Sequence, residues 1–295
     1  MNQAREYLTD LAEQISMPEI YLEIRRLIAK PDNQISDFVA VVEVDSMLAI
    51  RLIRIANSRF FGIPNRVNDL YQAISLIGVI QLHDIMLSSL CMRTFSAMPE
   101  QILNQKSFWR YCTQCGIAAR TIAQHCAVIV NNHYFSLGLL HEVGHAVMYI
   151  KAPEVCLQVI DESEIQTHSV IDIEHQKFGF NYAQLGKELM HLWHLPESYH
   201  QIAAFHLEPD EAAPAFHQEV LIIHLAHIIC QNQEAGRNQK LVAKLIQKHH
   251  HLAQLPAEIE SIVLDEIATH TETVLNILWP YSAPSEPDNR LVVNQ

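Results

Sequence analysis

Glycine is scarce in this sequence, and so are the turn signals that separate strands. Only 8 of the 295 residues are glycine, and no alternating apolar segment is bounded by hairpin turn residues. Apolar residues recur instead at helical spacing; Leu82, Ile85, Met86 and Leu90, for example, share one helical face. The sequence therefore excludes a β-rich fold and predicts an all-α protein.

Long apolar runs and a secretory leader are also missing. No run reaches the roughly 18 apolar residues that a membrane helix needs. The N-terminal segment carries Arg5, Glu6, Asp10 and Glu13, charges that are not typical of a signal peptide. Because 49% of the residues are hydrophobic, the chain can bury a sizeable core. We expect a cytoplasmic protein without a membrane partner.

Positive charge is in short supply, with one local exception. The formal net charge is −13, which argues against general binding of nucleic acid because phosphates attract a positive surface. Residues 46–68 nevertheless contain Arg51, Arg54, Arg59 and Arg66 and no acidic residue. These arginines are either a solvated helix face or a docking patch for an acidic partner or a phosphate group. We predict that they contribute to binding an acidic partner.

The six cysteines show no disulfide framework. Their scattered positions are typical of reduced thiols in a cytosolic protein. Cys112 and Cys115 form a lone C-x-x-C, but no second pair stands at zinc-site spacing and no βαβ pattern surrounds it. The pattern favours helix packing over redox or metal chemistry.

One short motif does suggest metal chemistry. His141, Glu142 and His145 spell H-E-x-x-H, in which two histidines on one helix hold zinc and the glutamate activates water. The metzincin continuation is missing, although Glu162 or Glu164 could supply a third ligand. A zinc protease is therefore one remote interpretation.

A longer motif begins at Asp45 and ends with Asn57, Ser58 and Phe61. It resembles the signature D-P-x-L-x-x-x-L-L-R-x-A-N-S-x-x-F of the HDOD family, with Ser46 in place of the proline. We expect Asn57 and Ser58 to close a helix, since asparagine tolerates the left-handed C-terminal position. Phe61 would then anchor the chain to the helical bundle.

The second half resembles the HD-like part of the same family, a degenerate branch of the HD phosphohydrolase superfamily. The G-L-L-H-D-x-G segment of that superfamily is similar to residues 138–144, and the resemblance as a whole covers about residues 15–235. The matching positions are Trp109, His141, Glu142, Gly144, Trp193, Pro196, His206 and His227.

The resemblance implies a weakened metal site. Active HD enzymes hold metal ions through a histidine, a His-Asp doublet and a distant aspartate. The residues at those positions here are Tyr111, His141, Glu142 and His227, and the accessory positions hold Tyr182 and Phe205. With a single carboxylate left, a dinuclear Mg²⁺ or Mn²⁺ centre loses the oxygen ligands it prefers.

A mononuclear site remains open. His141, Glu142, His227 and His206 could hold Zn²⁺ or Ni²⁺, which suit imidazole, or the histidines could simply be packed and hydrogen-bonded. In either case the family's bundle implies that His141 and Glu142 face the interior, near His206 and His227.

Together these observations predict two packed helical subdomains, residues 1–105 and an HD-like 106–281, followed by a flexible tail at 282–295. We expect a non-catalytic regulatory module in bacterial signal transduction, acting through a signalling protein or a small ligand and needing no cofactor. The alternative from another class is a metal-dependent phosphohydrolase with altered ligands.

Overall fold

The computed structural model describes residues 3–11, 15–99, 104–126, 133–165, 169–235, 239–249 and 254–279. Every regular element in these ranges is helical, which confirms the predicted all-α fold. Residues 100–103, next to the predicted boundary at 105, lie outside the described residues, as does the predicted tail at 282–295.

The first six helices cover the first third of the chain. They are α1 (Gln3–Thr9), α2 (Glu19–Ala29), α3 (Ile35–Val42), α4 (Ser46–Ala56), α5 (Leu70–Ile77) and α6 (Val79–Thr94). No single described helix is long and apolar enough to cross a membrane; α5 and α6 meet that criterion only when joined, and they are bent by 109°.

Ten further helices follow. They are α7 (Gln105–His125), α8 (Tyr134–Leu140), α9 (Val143–Lys151), α10 (Pro153–Ile165), α11 (Val170–Phe178), α12 (Tyr182–Leu192), α13 (Glu197–Phe205), α14 (His217–Ala235), α15 (Gln239–Lys248) and α16 (Ile259–Leu278). A 3₁₀ turn, Pro209–Glu211, separates α13 from α14.

Helix α4 begins where a side chain can cap it. A carboxylate oxygen of Asp45 accepts the backbone N–H of Leu48 at 3.0 Å, and the other pairs with Arg93 on α6 at 3.0 Å. Ser46 stands at the first helical position, where proline is favoured because its missing N–H is not needed there and its φ is already helical. The departure from the family signature is therefore tolerated, since Asp45 supplies the cap.

The end of α4 differs from the sequence expectation. Asn57 has φ −80° and ψ −4°, so it is right-handed and the predicted left-handed conformation is wrong. Its side chain instead bridges the following loop: Nδ2 donates to the carbonyls of Ile53 (2.9 Å) and Val67 (2.8 Å), and Oδ1 accepts from Val67 N–H at 2.9 Å. The loop makes its turn at Gly62, whose φ is +62°.

The two halves of the chain share one apolar core. Helix α16 packs against α7 and also against α4 and α6 of the first third. Trp193 is buried and donates its indole N–H to the carbonyl of Ile15 at 2.6 Å. Contacts between distant parts of the sequence thus fix the helices that carry the polar residues of the interior.

Candidate functional site

His141 and Glu142 occupy a two-residue break between helices. Helix α8 ends at Leu140 and α9 begins at Val143. Since the chain turns here, the two side chains are released from helical spacing, and both are buried.

Three histidines from separate elements meet at this break. His141 follows α8, His206 is the C-cap of α13 and His227 lies within α14. One nitrogen from each ring lies within 4.8 Å of the other two, and all three residues are at most 1% exposed. We call this set the three-histidine cluster.

Backbone carbonyls determine where two of the rings carry their protons. Nδ1 of His141 lies 2.6 Å from the carbonyl of Gly138, and Nδ1 of His206 lies 3.0 Å from that of Ile202. A carbonyl only accepts, so each Nδ1 carries the hydrogen and each Nε2 keeps a lone pair. Nε2 of His141 is directed at His227, whereas Nε2 of His206 is directed at the hydroxyl of Tyr182. A neutral ring with a free lone pair is the state that binds a metal ion.

Two tyrosines complete the polar contacts. Tyr182 donates its hydroxyl hydrogen to Nε2 of His206 at 2.9 Å, and the Tyr111 hydroxyl lies 3.0 Å from Nδ1 of His227. Nε2 of His141 lies 3.1 Å from that same Nδ1. Because Nε2 of His141 has no hydrogen, this contact requires a proton on His227 Nδ1 or a cation between the two nitrogens.

Burial keeps the three rings neutral. Burial lowers the pKa of His141 and lowers that of His206 far more, while His227 falls to about 3, although Glu142 opposes the effect at each ring. Neutral imidazoles at physiological pH are the form that ligates a metal.

Glu142 places a carboxylate beside the cluster. Its Oε1 lies 3.5 Å from Nδ1 of His227 and 3.8 Å from Nε2 of His141. Burial opposes ionisation, but the hydrogen bond with His145 and the nearby histidines lower the pKa of Glu142 well below its usual range. The group is therefore an anion beside three neutral rings.

His145 does not join the cluster. Its Nε2 lies 3.0 Å from Oε1 of Glu174, its Nδ1 lies 3.6 Å from Glu142, and its ring stacks on Tyr182 with centroids 3.7 Å apart. Burial opposes protonation, but Glu174 and Glu142 raise the pKa of His145 to about 9. A zinc-protease helix needs both histidines of the motif on one helical face. The break at 141–142 and the ion pair of His145 leave that geometry unformed.

Gly144 explains how Tyr182 reaches His206. A Cβ atom at Gly144 would stand 1.9 Å from the backbone oxygen of Tyr182, so only glycine lets α9 approach α12 so closely. The Tyr182 N–H donates to Oε2 of Glu174 at 2.9 Å. Glu174 thus holds both His145 and the start of α12, a role that nothing in the sequence indicated.

The donor set suits one borderline metal ion and not a hard dinuclear centre. Three imidazole nitrogens and one carboxylate oxygen are ligands for Zn²⁺ or Ni²⁺, whereas Mg²⁺ and Mn²⁺ require more oxygens. The structure brings together His141, Glu142, His206 and His227, the four residues singled out in the sequence. Phe205 has no atom that can bind a metal ion. Tyr111 and Tyr182 contribute hydrogen bonds to the histidines, a role that is not evident when only metal-binding residue types are considered.

The remaining motif residues lie in supporting positions. Ser58 donates its hydroxyl to the carbonyl of Ile55 at 2.6 Å, and Phe61 packs edge-on against Phe60. Trp109 is fully buried in α7, and Pro196 is the N-cap residue of α13.

The fold buries one of the four arginines in residues 46–68 and exposes the other three. Arg51 is only 7% exposed, and its Nη1 donates to the hydroxyl of Ser89 at 2.9 Å. Its assignment to a docking surface is therefore wrong, because the side chain points into the packing of α4 on α6. Arg54, Arg59 and Arg66 are exposed, and Arg54 and Arg66 line one shallow groove together with Asn57.

The chain resembles known proteins both in sequence and in fold. A family model described as HDOD domain matches residues 15–209. An uncharacterized protein of Treponema pallidum (strain Nichols) is 29% identical over 195 residues, which make up 64% of this chain and 37% of that relative. The chain thus spans little more than a third of the length of that relative.

Solved structures show the same fold at low identity. An HDOD domain protein with unknown function from Geobacter sulfurreducens has a TM-score of 0.75 at 19% identity, covering 94% of this chain and 96% of that one. A candidate phosphohydrolase from Shewanella amazonensis SB2B has a TM-score of 0.73 at 15% identity, covering 93% and 98%. A candidate signal transduction protein from Marinobacter aquaeolei VT8 has a TM-score of 0.68 at 21% identity, covering 92% and 61%.

Proposed function

The chain belongs to the HDOD domain family, and we propose that it is a cytoplasmic, non-catalytic regulatory module of bacterial signal transduction. In this proposal it acts by binding a signalling protein or a small ligand. The proposal includes two subdomains, residues 1–105 and 106–281, and α16 packs against helices of both.

The burial of the three-histidine cluster carries the proposal. The side chains of His141 and His227 are 0% and 2% exposed, and that of Glu142 is 12% exposed. The rings pack on one another with centroids 4.9 to 5.5 Å apart. A phosphate ester has to reach a metal ion directly, and these rings occupy the space around the position that such an ion would take.

The ligand types support the same conclusion. Phosphoester hydrolysis in a dinuclear centre relies on carboxylates that hold two ions about 4 Å apart. Here His227 stands at the position of the distant aspartate and Tyr111 at that of a histidine. Burial raises the pKa of Tyr111 well above its usual value, so it remains a neutral phenol hydrogen-bonded to His227.

A metal-dependent phosphohydrolase is the second candidate, and one observation favours it. His141 and His206 each place one ring nitrogen within 4.8 Å of the other, beside the anionic Glu142. A divalent ion held by these residues and His227 would polarise a phosphoryl oxygen or activate water. The neighbour described as a candidate phosphohydrolase shares the fold alone, so it does not decide between the two candidates.

The exposed arginines are the proposed partner surface. Arg54, Arg59 and Arg66 lie on a chain whose formal net charge is −13, so an acidic partner would be attracted locally and repelled elsewhere. Such charges mainly accelerate association and make it sensitive to salt.

Hydrolysis measured with purified protein tests the proposal. The full chain, prepared without a histidine tag, is assayed with a nitrophenyl phosphate diester and with cyclic dinucleotides, each with added Mn²⁺, Mg²⁺ or Ni²⁺. We expect background rates, equal to those of His141→Ala. Robust turnover that His141→Ala abolishes would establish the phosphohydrolase instead.

A further inference from the structure

A second, largely buried cluster of metal-ligating side chains joins the two halves of the chain. His83 and Asp84 lie on α6, and His133 is the N-cap residue of α8. Nδ1 of His83 and Nδ1 of His133 lie 3.2 Å and 2.5 Å from the same oxygen, Oδ1 of Asp84. Two imidazoles from distant parts of the sequence therefore converge on one carboxylate.

The carboxylate of Asp84 is unusual because only one of its two oxygens is hydrogen-bonded. Asp84 is 3% exposed, and its Oδ2 has no hydrogen bond among the described residues. A buried anionic oxygen that has lost its water is costly unless something binds it. Both imidazoles approach Oδ1, so Oδ2 remains available to a further ligand.

A cavity adjoins this carboxylate. Asp84 lines a partly open cavity of about 250 Å³ whose other walls include Ile85, Phe60 and Phe135. That volume holds several water molecules, each of which needs about 30 Å³. A metal ion bound at Asp84 would thus have room for water or a small ligand in its open positions.

The orientation of His83 is also fixed from outside the cluster. Its Nε2 lies 2.9 Å from the hydroxyl of Tyr21 on α2. When a metal occupies Nδ1, the ring carries its hydrogen on Nε2 and donates it to Tyr21. Metal-binding histidines commonly make such a contact with their second nitrogen, which holds the ring in place.

We propose that His83, Asp84 and His133 bind one divalent transition-metal ion at the wall of this cavity, separate from the three-histidine cluster. Two imidazoles and one carboxylate with open positions suit Zn²⁺, Fe²⁺ or Co²⁺ and disfavour Mg²⁺. Ligand atoms around such an ion stand about 3.3 Å apart in tetrahedral geometry, close to the 3.2 Å between His83 and Asp84. His133 lies nearer than this to Oδ1, so it must retract slightly or Asp84 must coordinate through Oδ2.

The competing arrangement is a metal-free ion pair. In that state a protonated His133 neutralises Asp84, and His83 donates its Nδ1 hydrogen to Oδ1. Such a pair leaves Oδ2 without a partner and involves no metal, so the two arrangements differ in what they bind. Neither depends on whether the three-histidine cluster is catalytic.

Zinc stoichiometry tests the proposal. The untagged full chain is freed of metal with a chelator, dialysed against excess Zn²⁺ with imidazole as a competitor for surface sites, and measured for bound zinc. His133→Gln should bind one equivalent fewer than the wild type. The exposed His125→Gln should bind as much as the wild type. Equal zinc in the wild type and His133→Gln would overturn the proposal.

A crystal of the wild-type protein grown with Zn²⁺ decides the matter even where His133→Gln does not fold. Anomalous scattering at the zinc edge should give a peak within bonding distance of both His83 and His133. A map without that peak would overturn the proposal, whatever it shows at His141. The hydrolysis assay addresses His141 alone, so the two proposals fail independently.

Discussion

The hydroxyl of Tyr111 lies 3.0 Å from Nδ1 of His227, which is 116 residues further along the chain. The family resemblance assigns a metal ligand to the position of Tyr111, but here this residue makes a hydrogen bond to a histidine instead. It also ties α7 to α14 in the interior.

Replacing Tyr111 by phenylalanine isolates this contact. The ring and its packing remain, while His227 loses one partner in a buried site. We expect Tyr111→Phe to lower the free energy of unfolding by about 1 kcal/mol, measured by chemical denaturation. The exposed Tyr71→Phe is the control and should change it by less than about 0.5 kcal/mol. Equal stability of both variants would show that the hydroxyl contributes nothing.

Adding one methyl group at Gly144 should disturb the three-histidine cluster indirectly, through Tyr182. The new Cβ would meet the backbone oxygen of Tyr182 at 1.9 Å, and backbone cannot move away as a flexible side chain can. We expect Gly144→Ala to cost about 1–3 kcal/mol or more through overpacking. The neighbouring Gly186→Ala is the matched control, because its nearest contact would be an ordinary 3.5 Å. It should be neutral or slightly stabilising, and a larger loss from Gly186→Ala than from Gly144→Ala would contradict this account.

Asp45 should make stability depend on acidic pH. Burial opposes its ionisation, but the Leu48 N–H and Arg93 lower the folded-state pKa below the ordinary 3.8. A lowered folded pKa means that the contribution is present above the unfolded pKa and is lost as the pH falls through the folded pKa. The stability difference between wild type and Asp45→Asn should therefore be larger at pH 7 than at pH 3. Arg93→Met removes the ion pair and should reduce that pH dependence, and a difference that grows at pH 3 would refute the assignment.

Asn57 should contribute chiefly through its bridge to Val67. Three hydrogen bonds to backbone groups are lost in Asn57→Ala, and at about 0.5–1.5 kcal/mol each we expect a loss of roughly 2 kcal/mol, since the site is partly exposed. Asn57→Asp keeps the acceptor for the Val67 N–H but loses both donors, so it should fall between wild type and Asn57→Ala. Thermal and chemical unfolding measure this order. An aspartate variant as stable as the wild type would mean that the donors are unimportant.

The arginine surface should act in binding and not in folding. Arg54→Glu with Arg66→Glu should keep the melting temperature and weaken capture of a protein partner, with the wild-type interaction declining as salt is raised. Arg26→Glu with Lys30→Glu, both exposed and on or next to α2, makes the same change in net charge and is the control. Unchanged capture by the double variant would reject the surface, and Arg51 is left intact because its substitution would disturb the contact with Ser89.

The sequence by itself determined the features that depend on local spacing. Helical periodicity predicted an all-α chain, because apolar residues three and four apart must share a buried face. The same rule indicated the burial of Arg51, which stands three residues after Leu48 and four before Ile55, both in the core. A count of the arginines in residues 46–68 ignores this spacing, and it therefore led to the expectation that Arg51 is exposed.

Only the tertiary structure decided which distant side chains meet. Sequence spacing cannot show that His83 and His133 approach one carboxylate, or that Glu174 pairs with His145. Nor could it show the helix break at 141–142, which determines whether H-E-x-x-H lies on one helical face. These contacts depend on how helices far apart in the chain pack together. That packing is set by the whole core and by close approaches such as the one at Gly144.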